Sequence, residues 1–158
     1  MGDPRRFTRF AELIKTQFPN VKNIADVAGG KGYLQLALKE KGYENVTTFD
    51  KRKHRCRRNI KFKHLYFSEK IKERFDLIVG MHPDEATDVI VVEASKRKIP
   101  FAIVPCCVKP TASIVHGQYN YTNWIKHLKQ LAERKNFKVQ ELNLRITGKR
   151  LVIIGRPK

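Results

Sequence analysis

The residues best suited to chemistry begin with Asn23 to Gly32, N-I-A-D-V-A-G-G-K-G. Ile24, Ala25 and Val27 read as a short buried strand, Ala28 to Gly32 as a tight turn, and Tyr33 to Leu38 as an apolar helix. Glycines let a backbone approach a ligand closely, and the unpaired N–H groups at a helix start supply donors. Eighteen residues beyond Gly32, closing the apolar run Val46 to Phe49, stands Asp50. A carboxylate at the tip of a second strand is placed to accept hydrogen bonds from a ribose. Further along, His82 and Asp84 flank Pro83. They read either as a base or acceptor anchor, or as a turn that caps a helix. Cys106 and Cys107 read either as a nucleophile or as small packing side chains. Lys51 to Arg58 holds six Lys or Arg in eight residues, and such mutual repulsion calls for a polyanion.

These residues need elements to position them. Phe7, Phe10, Leu13, Ile14 and Phe18 recur at helical spacing with Arg5, Arg6, Arg9 and Lys15 between them, so residues 5–18 form an amphipathic basic helix ended by Pro19. After the second strand, Ile60 to Phe67 reads as a third, lysine-weakened edge strand and Ser68 to Arg74 as a short polar helix. Phe75 to Gly80 is a buried strand, Ala86 to Ala94 a helix closed by Lys96, Arg97 and Lys98, and Phe101 to Val104 a fifth strand. Residues 109–120 are irregular and follow a strand tip, a usual place for substrate contacts. Tyr121, Trp124, Ile125, Leu128, Leu131 and Ala132 share a helical face. Phe137 to Leu144 and Arg150 to Ile154 are strands joined around Thr147-Gly148-Lys149. The pattern is five β/α steps and a closing hairpin, which makes the last strand antiparallel to the rest.

A chain of 158 residues is expected to form one domain, 1–158, with an N-terminal helix over 1–19 and an α/β core over 20–158. Thirty-three Lys and Arg against fifteen Asp and Glu give a net charge of +18. That excess points to a polyanionic partner, nucleic acid ahead of an acidic membrane surface. No apolar run reaches membrane-spanning length and no signal peptide is visible, so no membrane association is expected. Three cysteines, two of them adjacent, make no disulfide framework, which suggests reduced thiols and a cytoplasmic, intracellular protein. Their spacing to the histidines suits no metal.

The dinucleotide fingerprint G-x-G-x-x-G fails, because its third glycine falls on Gln35. Asp26, Gly30 and Gly32 instead resemble the D-x-G-x-G-x-G pattern of class I S-adenosylmethionine-dependent methyltransferases, with Ala28 in the first glycine's place. The order of elements is similar to that family's seven-stranded sheet with its seventh strand reversed, over about residues 20–158. V-G-M-H at 79–82 and P-C-C at 105–107 look like a group within it that has V-G-x-H after strand four and P-C-C after strand five. The resemblance implies a Rossmann-like class I methyltransferase fold with helices on both faces. It implies S-adenosylmethionine held by Asp26, Ala28, Gly29, Gly30, Gly32 and Asp50, with Ser68 and Glu69 near adenine. The family's Asp/Asn-Pro-Pro-aromatic motif is incomplete here, as is the Asp-x-Pro-Cys partner of cytosine-C5 enzymes.

Charge and fold together lead to the expectation of a methyltransferase acting on RNA, structured RNA in particular. Arg5, Arg6, Arg9, Lys51, Arg52, Lys53, Arg55, Arg57 and Arg58 would meet its phosphates. The alternatives are a nucleic-acid-binding protein that kept the fold but lost catalysis, and a methyltransferase acting on a protein.

Overall fold

The computed structural model describes residues 2–106 and 120–158. Helix α1 (Arg6–Gln17) leads into β1 (Asn23–Val27), α2 (Tyr33–Glu40) and β2 (Asn45–Asp50). A short β3 (Phe62–His64) and β4 (Leu77–Met81) follow, then a 3-10 turn (Asp84–Ala86) running into α3 (Thr87–Arg97) and β5 (Phe101–Val104). Helix α4 (Tyr121–Arg134), β6 (Phe137–Asn143) and β7 (Leu151–Pro157) complete the described chain.

The strands form one sheet in the order β3-β2-β1-β4-β5-β7-β6. The β3 to β5 side is parallel, and β7 pairs antiparallel with both β5 and β6. Strands β1, β4 and β5 are covered on both faces, which accounts for their nearly unbroken apolar runs. On one face Phe10, Ile14, Leu34 and Leu38 of α1 and α2 pack on Ile24, Leu77 and Val152. On the other, Ile90, Val91, Trp124 and Leu128 of α3 and α4 pack on Phe49, Ile78, Phe101 and Phe137.

Two expectations are corrected. The third strand spans three residues rather than eight, and Leu65 and Tyr66 leave it half exposed. Residues 68–74 form no helix. Arg97 of α3 donates to the carbonyls of Ser68, Ile71 and Glu73 at 3.2, 2.6 and 3.0 Å, taking acceptors that a helix would have used. The links from β2 to β3 and from β3 to β4 therefore carry no helix, and the five regular β/α steps reduce to fewer. The basic run 51–58 is likewise an irregular loop, since it has no apolar stripe to bury.

Candidate functional site

The turn after β1 lies at the carboxyl edge of the parallel strands. Ala28, Gly30 and Gly32 all have positive φ, at 57°, 57° and 83°. An alanine in that region costs about 1–2 kcal/mol, so Ala28 is strained where glycine would not be. Gly29 is required for space: a Cβ there would sit 2.1 Å from Asp26 Oδ2. Gly32 is crowded by Ile60, 2.7 Å from where its Cβ would be. The turn is pinned by Gly29 N–H donating to the Phe49 carbonyl at 3.3 Å and Gly30 N–H donating to Asp50 Oδ2 at 3.0 Å.

Asp50 is thus brought to the turn as its spacing predicted, but it is already engaged. Its Oδ1 accepts from the Arg52 N–H at 2.9 Å, Arg52 Nε lies at 3.4 Å, and His54 Nε2 lies 3.5 Å from Oδ2. Its side chain is 1 % exposed. Asp50 therefore braces the glycine turn as well as lining the adjoining cavity.

Asp26 lies wholly buried beneath Gly29. The Thr48 hydroxyl donates to its Oδ2 at 2.8 Å, and Gln35 Nε2 donates in turn to Thr48 Oγ1 at 3.0 Å. Gln35 also exchanges hydrogen bonds with the Lys61 backbone, tying α2 to the chain entering β3. Asp26 Oδ1 is buried without a partner among the described residues. Burial raises the Asp26 pKa to about 7, against the Thr48 hydrogen bond and with help from the Asp50 charge. Spacing alone singles out neither Gln35 nor Thr48 for this role. A glutamine among the apolar positions of a helix was the available signal.

A cavity of about 230 Å³ opens beside the turn. Its walls include Ala28, Asp50, Leu65, Tyr66, Asp84 and Val89. Ser68 and Glu69 do not line it; Ser68 Oγ accepts from the Lys70 N–H, and Glu69 pairs with Lys96. Residues just before them, Leu65 to Phe67, line it instead.

Comparison of the sequence with family models gives no match, and comparison with curated proteins gives none. Solved structures do match. The ribosomal protein L11 methylase from Lactobacillus delbrueckii subsp. bulgaricus superposes with a TM-score of 0.70 at 13% identity, over 100% of this chain and 81% of that one. The N-terminal domain of EvdMO1 with SAH bound gives 0.67 at 12%, over 99% and 83%. The methyltransferase domain of bacterial-CtHen1-CN gives 0.63 at 13%, over 96% and 98%. The fold is that of the class I methyltransferases.

Within this methyltransferase fold the turn after β4 separates two residues that the sequence grouped. His82 and Asp84 both have φ of 50°, and the alternation turns them apart. His82 Nε2 donates to the Lys149 carbonyl at 3.2 Å, and burial lowers its pKa, with the Arg6 charge adding to that effect. Asp84 lines the cavity instead, and the Cys106 thiol donates to its Oδ1 at 3.4 Å. Cys106 is half-buried rather than sealed in the core. Cys107 and the loop residues 109–119 lie outside the described residues. The sequence placed no role on Cys56, yet its Sγ lies 4.0 Å from the Gly30 carbonyl, and burial with the Asp50 charge pushes its pKa up.

The basic residues divide by their partners. Arg5 is held by Asp3 at 2.8 Å, Arg9 by Glu12 at 3.3 Å, Arg52 by Asp50, and Lys51 by Glu85. Arg6 stacks on Phe7. Lys53, Arg55, Arg57 and Arg58 are exposed and have no acidic partner among the described residues. No helix among those residues is long and apolar enough to cross a membrane, and none of their side chains cluster as a metal site.

Proposed function

We propose that this protein transfers a methyl group from S-adenosylmethionine to RNA. The observation that carries the reading is the path of the 51–58 loop. It leaves directly from Asp50, on the cavity wall, and presents Lys53, Arg55, Arg57 and Arg58 to solvent uncompensated. An anionic chain drawn to that loop lies beside the cavity. The fold favours S-adenosylmethionine as the ligand, and one neighbour was solved with SAH bound. The V-G-M-H and P-C-C segments favour the same family.

The residues present fit such a cofactor. Leu65, Phe67, Ala86 and Val89 offer apolar walls for a flat heterocycle, and Asp50, on the same wall, would accept from ribose hydroxyls. Ala28 to Gly32 would face the methionine end, with Asp26 supporting the turn from below. When bound, the cofactor supplies an electrophilic methyl group on a sulfonium, moved by in-line displacement. The protein's share is then positioning and the exclusion of water. Asp84, on the cavity wall, is the carboxylate placed to accept a proton or anchor the acceptor. His82 is turned to the hairpin and its Nε2 is committed there. Shape and phosphate contacts suit RNA, since the chain offers few base-reading elements.

A second reading has its own support. The Asp50 carboxylate is already engaged by Gly30, Arg52 and His54, which leaves less of it for a cofactor and favours an RNA-binding protein that kept the fold without catalysis. Calorimetry with S-adenosylmethionine and S-adenosylhomocysteine decides between the two. Micromolar binding, with label passing from methyl-tritiated cofactor to RNA, supports the enzyme. No binding at millimolar ligand leaves the binding protein.

A further inference from the structure

The β6–β7 hairpin tip carries positive charge that neither the cavity nor the 51–58 loop accounts for. Arg145, Lys149 and Arg150 are all exposed, and none has an acidic partner among the described residues. The tip is nevertheless held firmly. Asp3 Oδ2 accepts from the Thr147 N–H at 3.0 Å and lies 3.4 Å from its hydroxyl, and His82 donates to the Lys149 carbonyl. Leu144 and Ile146 are buried in the α1–α2 core, and Lys149 Nζ rests 3.7 Å above the Tyr121 ring. Three cations without an acidic partner among the described residues, Lys149 resting on a ring, are thus mounted on a tip fixed to both the start of α1 and the end of β4.

A run of contacts connects this tip to the glycine turn. The Arg6 guanidinium donates to the Asp3 carbonyl and lies 4.4 Å from the Phe7 ring centre. Phe7 meets Tyr33 at 5.7 Å and 46°. Tyr33 is the first residue of α2, next to Gly32, and is 47% exposed. Of the large apolar side chains exposed among the described residues, Leu65 and Tyr66 line the cavity and Tyr33 does not.

We propose that the hairpin tip is a second phosphate-binding arm and Tyr33 a base-stacking platform beside it. A single-stranded stretch of RNA would then run from the 51–58 loop past the glycine turn to Arg145, Lys149 and Arg150. Base–aromatic stacking beside a cationic track is the general means of holding a single strand without reading its sequence. The inference deepens the proposed function and rests on it for the choice of RNA as partner.

The test uses the whole chain and a short fluorescein-labelled oligouridylate, followed by polarisation over a salt series. Each phosphate neutralised on a single strand contributes about 0.7 to the log–log slope, so the variant carrying Arg145→Gln, Lys149→Gln and Arg150→Gln should flatten it by about two units. Tyr33→Ala should weaken binding about 5- to 150-fold with the slope unchanged, while Tyr33→Trp keeps the affinity. Both sets should unfold cooperatively in urea, with midpoints lowered only by the lost Tyr33–Phe7 and Lys149–Tyr121 contacts, and should keep wild-type affinity for S-adenosylmethionine. A folded triple variant with the wild-type slope and affinity would overturn the arm, and a Tyr33→Ala variant binding normally would overturn the platform. Equal binding of polyglutamate by the wild type, lost equally in the triple variant, would overturn RNA as the occupant. Failure of S-adenosylmethionine to bind the wild type would sink the proposed enzyme while the salt slope still judges the arm.

Discussion

Replacing Asp26 by asparagine should make the protein more stable at neutral and alkaline pH and leave it nearly unchanged only below about pH 4. Asp26 is wholly buried, has one oxygen with no partner among the described residues, and receives one hydroxyl hydrogen bond from Thr48. Its folded pKa is raised to about 7, whereas an unfolded aspartate titrates near about 3.9. Between these values the folded state binds the extra proton, so stability is greatest below the unfolded pKa and falls as pH rises toward the folded one. Over pH 5 to 8 the wild type should lose about 2–3 kcal/mol relative to the Asp26→Asn variant. Asparagine retains an oxygen for the Thr48 hydroxyl and fits above the same floor, so the comparison isolates the charge. Urea unfolding at several pH values, followed by fluorescence of the single, fully buried Trp124, measures the difference. Parallel stability–pH curves for the two proteins would refute the reasoning, because Asp26 would then ionise in the folded state as readily as in the unfolded one.

Asp50→Ala should weaken S-adenosylmethionine by about 1.5–3 kcal/mol, the scale of a hydrogen bond to a charged group, as read by calorimetry. It should also lower the urea midpoint, because the Gly30 and Arg52 N–H groups lose their acceptor; unchanged affinity in a folded variant would remove Asp50 from the site. Ala28→Gly should stabilise the protein by about 0.5–1 kcal/mol, left-handed strain relieved less the added freedom of the unfolded chain. A lower urea midpoint for that variant would show that the Ala28 methyl packs better than the turn strains. Cys106→Ser keeps a donor for Asp84, so methyl transfer should persist and 5-fluorocytosine RNA should trap no covalent adduct with the wild type; a trapped adduct would make a cysteine the nucleophile. Replacing Arg55, Arg57 and Arg58 by glutamine should flatten the RNA salt slope by roughly two to three units and leave cofactor affinity unchanged. A wild-type slope would mean that the 51–58 loop meets only solvent.

Much of the architecture is written in short-range pattern. Period and turn chemistry lie between near neighbours, so β1, the glycine turn, α2, β2 and the reversed β6–β7 hairpin are legible from the residues themselves, and β5 (Phe101–Val104) matches to the residue. The spacing of Asp50 from Gly32 likewise foretold their meeting at one edge, because a β/α/β step leaves its strand tips no other arrangement. What the chain could not disclose depends on partners far away in sequence. Residues 68–74 look helical until Arg97 claims their carbonyls. His82 and Asp84 look like one constellation until positive φ at both turns one toward Lys149, 67 residues on, and the other into the cavity. Arg145, Lys149 and Arg150 look like an ordinary hairpin tip until Asp3, 144 residues from Thr147, fixes it beside the start of α1. Burial decided the rest. Asp26 is one more carboxylate in the sequence, and it becomes a group titrating near neutrality because Gly29 seals it beneath the turn and, among the described residues, only the Thr48 hydroxyl donates to it.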